Sequence, residues 1–72
     1  MEITLQQTEK LFMEGNLNFN SLGFSLLVTR LKIMHARDPV EHTLQSCTDA
    51  INSFLARFQG AMARDFEIIK KL

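Results

Sequence analysis

The polar joint Arg37-Asp38-Pro39-Val40-Glu41 lies between two stretches of helical periodicity, and it decides what this chain can fold into. Proline has no N–H and its ring clashes with the preceding turn, so a helix running through Pro39 is excluded, whereas the first turn of a new helix accepts it. Asp38 can cap that new helix, and Glu41 completes a variant of the capping box. The chain therefore reads as an antiparallel helical hairpin closing at Asp38-Pro39.

The remaining punctuation fills in the plan. Thr4-Leu5-Gln6-Gln7 fits a capping box with Thr4 as N-cap, and Gly15 suits the left-handed residue that ends a helix, so a short first helix is expected over about 4–14. Asn16-Leu17-Asn18-Phe19-Asn20 reads as a loop, because asparagines bond their own backbone. A second helix, capped by Asn20 or Ser21, should cover 21–36, slightly weakened by Gly23. The third is expected to run over 39–71, about 33 residues or roughly 50 Å, with Gly60 on its polar side and a bend there left open. All of this is one small all-α domain spanning 1–72, a helical hairpin with a short extra N-terminal helix.

The apolar faces pose the functional question. Along the second helix, at about 100° per residue, Phe24, Leu27, Val28, Leu31 and Met34 fall on one broad face, and Leu22, Leu26 and Ile33 fall nearly opposite. Arg30 and Arg37 occupy one gap; Ser25, Thr29 and Lys32 occupy the other. A helix packed on one side needs one stripe, and this one has two. The third helix carries Leu44, Thr48, Ile51, Leu55, Phe58, Met62, Phe66 and Ile69 in steps of three and four, flanked by Cys47, Phe54 and Leu72, with Asn52 on its polar side. Leu27, Leu31, Leu44, Ile51 and Leu55 are the expected core. In a hairpin closing at Pro39 the second helix reaches only to about Leu55 of the third. Leu22, Leu26 and Ile33, together with Phe58, Met62, Phe66 and Ile69, are thus left as expected partner-binding residues, since several exposed apolar side chains together favour association.

Composition narrows the function classes. A core of 72 residues is thin, and such domains lean on disulfides, metals or partners. Cys47 is the single cysteine, so no internal disulfide forms, and Cys47, His35 and His42 make no spaced zinc set. Eight basic and eight acidic residues give zero net charge with no basic stripe, which argues against nucleic acid as partner. No apolar run approaches the ~18 residues that span a bilayer, and the first residues lack a basic-then-apolar pattern, so the expected location is the cytosol.

No chemistry is indicated. His35 and His42 read as solvated histidines of the joint, and Cys47, between Leu44 and Ile51, as a small core residue. The acidic residues form no carboxylate pair. Asp65 stands out at the edge of the apolar stripe, either as its rim or as a polar contact to a partner. With no nucleophile–base set and no phosphate-cradling glycine loop, neither an enzyme nor a cofactor is expected.

The run Leu31-Lys32, Ala36-Arg37-Asp38-Pro39, Leu44-Gln45, Ala50-Ile51 and Leu55 resembles the small helical co-chaperones of type III secretion needle subunits. The resemblance covers about 30 residues at the joint and its flanks, and the chain departs from that pattern in carrying fewer charges and a longer apolar C-terminal stripe. It implies a location in the bacterial cytoplasm and a pairing with a helical-repeat chaperone, the two together keeping a needle subunit monomeric before export. Two alternatives stay open: a needle or inner-rod-like structural subunit, and a self-associating helical adaptor or regulator outside secretion.

Overall fold

A computed structural model describes residues 2–14, 18–57 and 63–71. Gly15, Leu17, Phe58, Gly60, Met62 and Leu72, to which the sequence reading gave roles, lie outside the described residues, as does the side chain of Phe66. Among the described residues the chain is all-helical, with α1 over Leu5–Met13, α2 over Leu22–Arg37, α3 over Leu44–Ala56 and α4 over Ala63–Lys70.

The first two helices begin where their caps predict. Gln7 N–H donates to Thr4 Oγ1 at 3.1 Å and Thr4 N–H donates to Gln7 Oε1 at 2.8 Å, closing the capping box of α1. Ser21 Oγ accepts Phe24 N–H at 3.2 Å and starts α2.

The third helix differs from the expectation at both ends. Asp38 does cap, since its Oδ1 accepts Glu41 N–H at 3.1 Å and its carbonyl accepts His42 N–H at 2.9 Å, but only this single turn forms. The chain then turns extended at Thr43, whose Oγ1 takes the Ser46 N–H at 3.1 Å and starts α3 five residues after Pro39. The reason lies in the backbone accounting. In a continuous helix the His42 carbonyl would accept Ser46 N–H. With Thr43 serving that donor, the carbonyl is released and accepts His35 Nδ1–H from α2 at 2.8 Å. Val40 in this turn is 87% exposed. At the far end α3 stops at Ala56, where Arg57 N–H turns back to Phe54 O at 3.1 Å, a tightened last turn. One 33-residue helix is thus replaced by two separate ones.

α3 is the hub, packing against both α1 and α2, while α4 packs against α1. Phe24, Val28 and Leu31 of α2, Leu11 and Phe12 of α1, and Cys47, Ile51 and Leu55 of α3 form the core, joined by Ile69 of α4 and Ile3 ahead of α1. Of the expected core, Leu31, Ile51 and Leu55 are buried, and Leu27 and Leu44 are half-buried against it. Phe24 anchors an aromatic group, edge-on to Phe19 at 4.9 Å and tilted to Phe54 at 5.9 Å.

Polar ties across the fold stand where hydropathy alone would not place them. Thr8 of α1 and Thr48 of α3, both buried, face each other with hydroxyls 2.7 Å apart. Each hydroxyl also reaches the carbonyl one turn before it, Thr4 O at 3.2 Å and Leu44 O at 2.9 Å, so neither is stranded. Asn52 holds the residue ahead of α1 with two bonds, accepting Ile3 N–H at 2.7 Å and donating to Ile3 O at 3.1 Å. That pair extends the core to Ile3, and it puts Asn52 to structural use on what reads as a solvated face.

Candidate interaction face on the second helix

α2 shows the two-sided character that its wheel predicts. Phe24 and Val28 are fully buried and Leu31 nearly so, which turns the opposite stripe outward. On that stripe Leu22 is 73%, Leu26 62% and Ile33 48% exposed. Leu26 and Ile33 line an open groove along α2 with Gly23, Leu27, Thr29, Arg30, Met34 and Arg37. Arg30 and Arg37 are exposed on one flank of the stripe, and among the described residues no acidic side chain pairs with either. On the helical wheel they occupy a gap between two apolar faces, and their angular position beside Leu26 and Ile33 is the signal that they edge the groove.

The C-terminal half of the expected surface is placed differently. Ile69 is fully buried in the core, because α4 is a separate helix lying against α1 instead of an overhanging extension of α3. Ile69 is therefore corrected from a surface position to a core position. Its neighbour Ile68 is 48% exposed. Leu5 and Met13 of α1 are also exposed, at 44% and 78%.

Asp65 belongs neither to a rim nor to an outside contact. Fully buried, its carboxylate accepts Asn20 N–H at 2.7 Å and Ser21 N–H at 3.0 Å. It caps the start of α2 from α4, where the positive end of the helix dipole favours an anion. The stripe at Leu22 starts one residue after this anchor, so α4 fixes the end of the candidate face.

The reactive side chains are structural. His35 is more than a solvated residue of the joint: half-buried, it bonds the His42 carbonyl and stacks tilted against Phe12 at 6.0 Å. Cys47 is 1% exposed, its thiol points at Leu31 O at 3.9 Å, and burial pushes its pKa up, which suppresses the thiolate. Among the described residues no cluster of three His, Cys, Asp or Glu is placed to hold a metal ion, and no helix is long and apolar enough to cross a membrane.

No known family, curated protein or solved structure matches the chain.

Proposed function

We propose that this chain is a small helical protein-interaction module that docks a partner along α2. One observation carries the reading: Leu22, Leu26 and Ile33 stand exposed as a single stripe on a helix whose opposite side buries Phe24, Val28 and Leu31 in the core. Fully burying an exposed side chain of this kind is worth about 1.5–3 kcal/mol, and with these three 48–73% exposed, covering them favours association. The specific form of the proposal is a co-chaperone that pairs with a helical-repeat chaperone and keeps a type III secretion needle subunit soluble before export. It is supported by the residue pattern from Leu31 to Leu55 and by a face that a helical-repeat groove would cover.

Sedimentation equilibrium of the chain, alone and mixed with a secretion chaperone and a needle subunit, tests both levels. The expected result is a stable complex that Leu26→Asp abolishes with helix content unchanged by circular dichroism. A complex with other helical proteins but not with secretion components removes the co-chaperone form alone. A chain that stays monomeric at high concentration in every mixture refutes the module.

A further inference from the structure

We infer that the occupant of the α2 face is an amphipathic helix of another protein, apolar along one stripe and acidic along one flank; this rests on α2 being the docking face and adds the chemistry of what docks. The chain is electrically neutral, yet α2 carries Arg30, Lys32 and Arg37 and no acidic residue. Arg30 and Arg37 line the same groove as Leu26 and Ile33. They stand two helical turns apart, about 10.5 Å along the axis, on one flank of the apolar stripe. A helix seated on Leu22, Leu26 and Ile33 meets both guanidinium groups with a single flank of its own, at positions seven residues apart. Asp or Glu there is paired, and Lys or Arg is repelled.

A second copy of the chain fits this face less well. Two-fold pairing of α2 with itself sets Leu26 on Ile33, which is favourable. It also brings the two Arg30 side chains together and lays each Arg37 on the other copy's Leu22, with no acid on either helix to compensate.

The test uses two synthetic helical peptides about 20 residues long that share a leucine stripe, one with Glu at two flank positions seven residues apart and its twin with Lys there. Each is titrated into the full chain by fluorescence anisotropy, at low and high salt. The Glu peptide should bind about tenfold more tightly than its twin, the size expected of two exposed pairs gained and two like-charge contacts avoided. That gap should shrink at high salt. The double variant Arg30→Glu, Arg37→Glu should invert the order, and Leu26→Asp should abolish binding of both. Equal affinity for the two peptides, lost in Leu26→Asp, overturns the acidic flank and leaves α2 as the docking face. Failure of both peptides to bind, or binding that Leu26→Asp does not touch, overturns both. A homodimer that Leu26→Asp dissociates shows that a second copy takes the face and overturns the inference.

Discussion

Asp65→Ala removes the contact that ties α4 to the start of α2, and its cost can be worked from the geometry. The side chain is fully buried and accepts two backbone N–H groups at 2.7 and 3.0 Å. Hydrogen bonds to a charged acceptor contribute about 1.5–3 kcal/mol each, and an anion at a helix N-terminus adds about 0.3–1 kcal/mol. Against this stands the desolvation of a buried carboxylate, several kcal/mol, which truncation gives back. Asn20 is exposed and Ser21 half-buried, so water reaches the donors once the carboxylate is gone. The net loss should be about 2–4 kcal/mol, a large part of the roughly 4–11 kcal/mol expected for a domain this size. Urea unfolding followed by far-UV circular dichroism measures it. Asp65→Asn sharpens the test: it keeps the shape, loses the charge, and sets an NH2 against one of the two N–H donors, so it should also destabilise. An Asp65→Ala variant within 0.5 kcal/mol of the parent, or an Asp65→Asn variant more stable than it, would mean that burying the carboxylate costs as much as its two bonds return, and the anchor would lose its energetic meaning.

Three further outcomes follow from single contacts. Gly23→Ala should stabilise by about 0.5–1 kcal/mol in the same urea assay, since the added Cβ meets Phe54 Cζ at an ordinary 3.7 Å and the helix loses its most entropic residue. Asn52→Ala should release the N-terminal segment at a cost of about 1–2 kcal/mol, read as lost hydrogen-exchange protection at the Ile3 amide, which now donates to Asn52 at 2.7 Å. Cys47 should label slowly with a thiol reagent in the folded chain and quickly in urea. Because burial raises its folded pKa, stability owed to the neutral thiol is intact below the unfolded thiol's pKa and falls as pH rises through the folded value, so Cys47→Ser should flatten the alkaline limb of the stability profile.

What could be read from the sequence was whatever is settled within a turn or two. The Thr4–Gln7 box, the Ser21 cap and the two faces of α2 all depend on residues a few positions apart, and the structure has each of them. The joint was legible in mechanism but not in extent. Asp38 caps one turn as its chemistry demands, and whether the helix continues is then decided by competition at Thr43. The His42 carbonyl freed there is taken by His35 of α2, a contact that helical spacing does not reveal.

The apolar stripe from Leu44 to Ile69 misled for a different reason. A three-and-four spacing says only that a side chain faces inward; it is preserved across a break whenever both pieces pack on one core. Reading it as one helix left its end bare and made Ile69 a surface residue, whereas α4 returns against α1 and buries it. The polar residues that tie the elements together were unreadable for the same one-dimensional reason. Asp65 finds Asn20 across 45 positions, Asn52 finds Ile3 across 49 and Thr48 finds Thr8 across 40. Once those ties are counted, the exposed apolar stripe of α2 gains weight as a candidate site. Asp65, which the sequence places at the rim of the stripe or against a partner, and Asn52, which it places on the polar side, are engaged inside the fold, and so is Ile69. Among the described residues Leu22, Leu26 and Ile33, with two arginines beside them, make no comparable internal contact, and it is there that a partner has something to bury.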